Sequence, residues 1–308
     1  MNDGRGAPRD AAPSVGVVIP TRGNRPEQLR AAVLAALGQR YPGRILVVVV
    51  ADGADPETVA EQVAGVVRAD IWVLPNRLSP GLPGARNTGI AACDTDLVAF
   101  CDDDDLWLPG KLAAQTRVLD GGGEFASCGI EVEHGARRVP RLAGTDAVTV
   151  AHLVRSRMVM VHSSTFLFRR GALWVDESAP RGQNEDWDLA LRAAKRRPIA
   201  NVDEPLVRVR WGASHYVTCW ADRIAGLEWM LARHPELSTD PRGAARVYGQ
   251  LAFHHAALGH RRESARWAAR ALTARLGEPR APIALAVAAG LVSAPRVLTL
   301  LHDRGHGI

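Results

Sequence analysis

Lysine is all but missing from this chain. Lys111 and Lys195 are the only two among 38 basic residues, so arginine carries the formal net charge of +5. With the alanine richness, that usage is what a GC-rich coding sequence produces, and the bland account of the charge is a solvated face. The functional accounts are attraction to phosphate-bearing ligands or to an anionic membrane surface. No nucleic-acid recognition motif accompanies the charge, which argues against a nucleic-acid partner. The four cysteines, Cys93, Cys101, Cys128 and Cys219, show neither C-x-x-C spacing nor a metal-like histidine pattern. They read as reduced, buried small hydrophobes of a cytosolic protein. Long apolar runs are lacking too. The first fourteen residues hold Asp3, Arg5, Arg9 and Asp10 and no signal-peptide stretch. Ala281 to Ala294 is too short to span a bilayer and is framed by Pro282 and Pro295, so it reads as a packed helix. A cytoplasmic chain is expected, soluble or held peripherally at the inner face of the membrane. Neither G-x-x-x-x-G-K-S/T nor G-x-G-x-x-G after a strand occurs, which argues against an ATPase or a dehydrogenase.

What is present is an ordinary globular composition, 47% hydrophobic and 23% charged over 308 residues. Short β-branched runs alternate with helical spacing. Val15 to Ile19 is a first strand; Leu29, Val33 and Leu37 form a helical stripe; Ile45 to Val50 is a wholly apolar second strand. Pro56 opens a helix carrying Val59, Val63 and Val66, Ile71 to Leu74 is a third strand, and a helix around Ala85 to Ala92 precedes a fourth strand, Leu97 to Cys101. This alternation predicts an α/β fold, an open and mostly parallel sheet with helices on both faces. Strands at Phe125–Cys128, Ile130–Glu133, Thr165–Phe168 and Val207–Trp211 and a helix at Asp186–Ala194 follow. Beyond about Val217 the spacing of Trp220, Ile224, Leu227 and Leu231, then Val247, Leu251 and Leu258, is helical throughout, with a helix pair around Gly259 like a single tetratricopeptide hairpin. The expected division is a flexible 1–13, an α/β domain over 14–216 and an all-helical region over 217–308.

The strongest local signal is Asp102-Asp103-Asp104-Asp105, directly after the fourth strand. Open parallel sheets bind ligands at the carboxyl ends of their strands. Adjacent carboxylates repel, which a solvated turn tolerates and a bound cation turns to use; Mg²⁺ or Mn²⁺ suits such oxygen ligands. Both readings stand on the motif alone.

Five blocks in order carry a resemblance: Val18 to Thr21, Val49 to Gly53, Ala85 to Ile90, Phe100 to Pro109, and Glu185 to Asp188. They resemble family 2 glycosyltransferases of the GT-A fold over roughly residues 14 to 212. The resemblance implies that Thr21 borders the nucleotide and that Asp52 binds the base, with Ala51 and Ala54 departing from the family pattern. It implies that Asp102 or Asp103 touches ribose or completes the metal shell, and that Asp104 ligates Mn²⁺ or Mg²⁺. Arg86 would meet the diphosphate, and His215 resembles a position that supplies a metal contact in some such enzymes. Asp186 would be the base that takes the acceptor proton, since a sugar hydroxyl attacks poorly until deprotonated; Asp186 opening a helix is the plainer account. The partners implied are a nucleotide-sugar donor, a UDP-sugar first, and a saccharide, lipid-linked or small-molecule acceptor, with inversion. A homo-oligomer through the helical tail is a further expectation. His162-Ser163-Ser164 is assigned to the acceptor side, Asn87 equally to the site or only to a local cap, and Trp107 and Trp187 to sugar stacking or core. Two other functions remain: a sugar-phosphate nucleotidylyltransferase, which would need a Gly-rich loop where Thr21-Arg22-Gly23-Asn24 stands, and a non-catalytic nucleotide-sugar binder.

Overall fold

The computed structural model describes residues 12–66, 70–135, 137–210 and 219–303. Trp211 and His215 lie outside them. Two compact units are present. One holds the described residues up to Thr149, Val159–Glu177 and those from Arg192 to Arg210; the other holds Val150–Met158, Ser178–Leu191 and the described residues from Cys219 onward.

The first unit is a mixed sheet with helices. Its elements begin β1 (Val15–Thr21), α1 (Pro26–Leu37), β2 (Ile45–Ala51), α2 (Pro56–Val63), β3 (Ile71–Pro75), α3 (Leu82–Ala92) and β4 (Leu97–Phe100). These four strands are parallel in the order β3-β2-β1-β4. The chain builds outward from β1 on one side and then crosses to the other, so a switch point falls at the carboxyl ends of β1 and β4. Every residue of β1 and β4 is buried, which is why both read as unbroken apolar runs. Gly89 of α3 lets the helix lie on β1: a Cβ there would stand 2.2 Å from Val18 Cγ1. Gly89→Ala should therefore cost about 1–3 kcal/mol, read as a lower midpoint in urea melts.

The sheet continues through β5 (Leu106–Trp107), α4 (Lys111–Leu119), β6 (Phe125–His134), β7 (Arg137–Arg141) and β8 (Ala147–Val148). The second unit's α5 (Val150–Arg155) comes next along the chain, followed by β9 (Leu167–Arg169), α6 (Glu185–Arg196) and β10 (Ile199–Arg210). Beyond β4 the order is β9-β6-β10-β5, with β6 and β10 parallel and β9 antiparallel to both β4 and β6. The two strands expected at 125–128 and 130–133 are one. Gly129 between them sits opposite Pro205 at a register irregularity, and the ladder resumes beyond it. The strand expected over 165–168 is shortened by a 3₁₀ turn, Ser163–Thr165, capped by the His162 side chain.

Lys111 opens α4 yet is fully buried, its ammonium 3.9 Å from the Trp107 ring centre and donating to Gln115 Oε1 at 2.7 Å. Burial pulls its pKa down to about 8, offset in part by Cys128 and Cys101. Between about pH 8 and the ordinary lysine range the unfolded chain holds a proton that the folded chain has released, so this group adds stability as pH rises. Burial pushes the thiols of Cys101 and Cys128 up, and they act oppositely, costing stability above the ordinary thiol range. Lys111→Met isolates the first effect. Between about pH 7 and about pH 9 the wild type should gain about 1 kcal/mol on the variant in urea melts. Parallel pH profiles would show that this ammonium is not the group responsible.

The second unit is helical. After α5 and the first part of α6 it holds α7 (Trp220–Arg233), α8 (Glu236–Thr239), α9 (Pro241–Ala257), α10 (Arg261–Ala274), α11 (Arg280–Ala288) and α12 (Ala294–Asp303). Asp240 caps α9 by accepting from the amides of Arg242 and Gly243, with Pro241 at the first turn. Gly243 brings α5 close: a Cβ there would stand 2.8 Å from Val154 Cγ1. Gly259, at φ 78°, turns the chain from α9 into α10, the hairpin expected around that glycine. The apolar stretch from Ala281 is not one helix; α11 ends at Ala288 and Gly290, at φ 79°, turns the chain before α12. No helix among the described residues is long and apolar enough to cross a membrane.

Candidate active site

In the first unit the turn after β4 splits the four aspartates into two pairs. The Asp105 amide donates to Asp102 O at 3.1 Å, closing a tight turn that returns Asp105 beside Asp102. Asp103 and Asp104 face the other way. Thr21, at the end of β1, donates through Oγ1 to Asp103 Oδ2 at 2.7 Å, and Arg25 NH1 reaches Asp103 at 3.1 Å and Asp104 at 2.5 Å. Arg86, 1% exposed on α3, donates to Asp102 Oδ1 at 2.6 Å. Ser163 Oγ donates to Asp102 Oδ2 at 3.0 Å and Ser164 Oγ to Asp105 Oδ2 at 2.6 Å. His162 Nδ1 stands 3.5 Å from Asp105 Oδ2.

Asp102, Asp105 and His162 thus each offer a ligand atom, all within 4.8 Å of one another. Two carboxylate oxygens and an imidazole nitrogen are a donor set that suits a divalent cation. Burial tends to raise Asp102, but Arg86, His162 and Ser163 together hold its carboxyl below the usual range. Asp105 goes well above that range through burial and the charges of Asp102 and Asp104. Asp103 and Asp104 are also raised, by burial first. Divalent charge between Asp102 and Asp105 would relieve this repulsion. Of the residues read as metal ligands from sequence, Asp102 is in this group, Asp104 is paired with Arg25, and His215 lies outside the described residues. Asp105 and His162 were not read as ligands from sequence. The four-residue turn was the available signal for Asp105; His162 comes from a distant segment and had none.

Asp52, after β2, sits at the N-terminus of α3. It accepts from the Gly81 amide at 3.0 and 3.1 Å and from Asn76 Nδ2 at 2.9 Å, while Asn76 Oδ1 accepts from Thr88 Oγ1 at 2.9 Å. Gly81 adopts φ 110°, a conformation open to glycine, and so presents that amide. Asn76 was not anticipated. Asn87 is no local cap: its amide donates to Val175 O at 2.9 Å and Glu177 Oε1 at 2.8 Å, holding that loop on α3.

In the second unit Asp186 lies in the first turn of α6. Arg157 NH2 donates to both its oxygens, at 2.7 and 3.0 Å, and the Trp187 amide donates to Oδ1 at 2.8 Å. Trp187 is core, with Nε1 donating to Leu153 O at 3.1 Å and the Arg246 guanidinium 4.8 Å over its ring. Trp107 in the first unit is buried as well, under Lys111, so neither tryptophan presents a face for stacking a sugar.

A model of the glycosyltransferase-like family 2 matches residues 12–213. The chain belongs to that family. Among relatives, a pre-mycofactocin glycosyltransferase of Mycobacterium tuberculosis is 43% identical over 90 residues, 29% of this chain. That match spans only 17% of the relative's length. The amylovoran biosynthesis glycosyltransferase AmsE of Erwinia amylovora is 26% identical over 61% of this chain and 73% of its own. Among solved structures, S. aureus TarS 1-349 in complex with UDP-GlcNAc aligns with TM-score 0.61 at 14% identity, over 95% of this chain and 92% of that one. The mannosyltransferase PcManGT from Pyrobaculum calidifontis, in complex with GDP-Man and Mn²⁺, aligns with TM-score 0.55 at 17% identity, over 95% and 80%. The fold is that of the GT-A glycosyltransferases, as the family resemblance implies, with C-terminal helices added.

Proposed function

We propose that this family 2 chain transfers a sugar from a nucleotide-sugar donor, a UDP-sugar in the first instance, to an acceptor hydroxyl with inversion, using Mn²⁺ or Mg²⁺. The observation that carries the reading is the group Asp102, Asp105 and His162, within 4.8 Å of one another at the β1/β4 switch point, with Thr21 and Arg86 attached to the same acidic turn. Asp102, Asp105 and His162 would hold the cation, with Asp104 on the other side of the turn, paired with Arg25. When bound, such a cation neutralises the charge that develops on a departing diphosphate. Arg86 would share that task from a buried position, where a guanidinium–oxyanion contact is strong. Thr21 and Asp103 border the same rim, and Asp52, held rigid by Asn76 and Gly81, offers acceptor oxygens to a base or ribose. Asp186 takes the proton from the attacking hydroxyl. The acceptor is a saccharide, a lipid-linked sugar or a small molecule. One feature weighs against a nucleotidylyltransferase: no Gly-rich loop follows β1.

The test is thermal unfolding with UDP-, GDP- and dTDP-linked sugars, each with and without Mn²⁺. One donor together with Mn²⁺ should raise Tm with concentration, by the equivalent of about 2.7 kcal/mol at a hundredfold excess over Kd. No shift with any of them would overturn the reading.

A further inference from the structure

The second unit gathers positive charge without the carboxylates to balance it. Arg157 is paired with Asp186, and Arg280 donates to the buried Glu278 at 2.7 Å. Arg223 and Arg246 have no carboxylate partner among the described residues, although Arg246 is buried and Arg223 half-buried. Arg246 is 8% exposed. Its hydrogen bonds are long, 3.4 Å to Val154 O and 3.5 Å to Gln250 Oε1, and its Nε has no partner. Burial first, and then these neighbours, disfavour the charge: Arg157 acts on Arg223, and Arg280 and Arg157 on Arg246, whose pKa is pulled down to about 9 although Glu278 favours its charge.

One face of α9 adds to the cluster. Arg246, Gln250 and His254 recur at helical spacing. His254 is 3% exposed, neither ring nitrogen has a partner, and its ring packs 5.6 Å from that of Trp220, over which Arg223 stands at 6.0 Å. Burial and Arg223 keep this imidazole neutral, so it offers one N–H donor. Buried polar groups are normally satisfied, and leaving several unsatisfied in one place costs stability. An anion would accept from the guanidiniums and from the one imidazole N–H.

We infer that Arg157, Arg223, Arg246 and His254 form an anion site beside Asp186, and that it takes a phosphate group carried by the acceptor. Asp186 is the residue assigned to the acceptor hydroxyl, so an anion recognised next to it belongs to the acceptor; in this the inference rests on the function proposed above. The recognised chemistry is a phosphate ester, whether on a lipid-linked sugar or on a soluble polyol or sugar phosphate.

The full chain, free of metal and donor, is titrated calorimetrically at low salt with inorganic phosphate, glycerol 3-phosphate and glycerol. Both phosphates should bind and glycerol should not. Arg223→Gln and Arg246→Gln should each weaken phosphate binding at least ~10-fold, the loss of one charge-assisted contact. Arg246→Lys should retain part of the binding if Arg246→Gln disturbs Trp187. UDP with Mn²⁺ should bind all variants as it binds the wild type, and phosphate should still bind in its presence. Absence of phosphate binding, or binding indifferent to both substitutions, overturns the site. Competition by UDP and Mn²⁺ overturns the acceptor assignment and gives the site to the donor. The function proposed above fails separately, by loss of the metal-dependent donor shift in the wild type. Given an active assay, a lipid-linked and a soluble phosphorylated acceptor compared with their dephosphorylated forms tell the two sources apart.

Discussion

Replacing Asp186 by Asn should lower the rate of sugar transfer at least ~100-fold while leaving the metal-dependent donor shift in place. Asn keeps an oxygen where the Trp187 amide and Arg157 now donate, at 2.8 and 2.7 Å, so the start of α6 retains its local hydrogen bonds. What it cannot do is accept a proton. The plainer role, a negative charge at a helix N-terminus, predicts a different outcome: a loss of about 0.3–1 kcal/mol of stability and transfer close to wild type. Arg157 loses its carboxylate in the variant, so some destabilisation is expected under either account. The decisive readout is therefore the ratio of transfer rate to donor affinity. A variant that transfers normally would remove Asp186 from the chemistry and favour a nucleotide-sugar binder whose output is not catalysis.

The parallel half of the sheet was legible because strands covered on both faces must be apolar throughout, and Val15–Ile19 and Ile45–Val50 meet that demand. The helical region was legible by its period, down to the turn at Gly259. Short elements were not. α5 has six residues, too few to show a helical stripe, and β9 has three. At the site, sequence order carried Thr21, Asp52, Arg86 and Asp102 to the ends of strands or onto the helix that packs beside them. It could not show that a turn would separate Asp103 and Asp104 from Asp102 and Asp105, because that depends on Arg25 drawing one pair and Ser163 and Ser164 the other. The arginine cluster was invisible for a related reason. Arg157, Arg223 and Arg246 are scattered along the chain among many other arginines, and only folding shows that Arg223 and Arg246 have no carboxylate partner among the described residues.

Asp105→Asn should abolish the Mn²⁺-dependent donor shift, with metal affinity falling at least ~100-fold and transfer falling with it, since even residues that merely support metal ligands are worth 10–100-fold. Stability without metal should hold or rise. The substitution removes one of four adjacent carboxylates, and Asn can still accept from Ser164 Oγ, which now donates at 2.6 Å. A gain in apo stability combined with a loss of metal response is the signature of a ligand kept at a cost to the fold. Asp104→Asn is the companion experiment. The family resemblance puts the cation on Asp104, whereas here Asp104 is paired with Arg25 at 2.5 Å and Asp105 lies with Asp102 and His162. If Asp104→Asn loses the metal response and Asp105→Asn keeps it, the assignment of Asp105 is wrong and Arg25 must release Asp104 on metal binding. If chelation leaves donor binding and transfer untouched in the wild type, the acidic turn is structural, and Arg86 with Arg25 must carry the diphosphate charge alone.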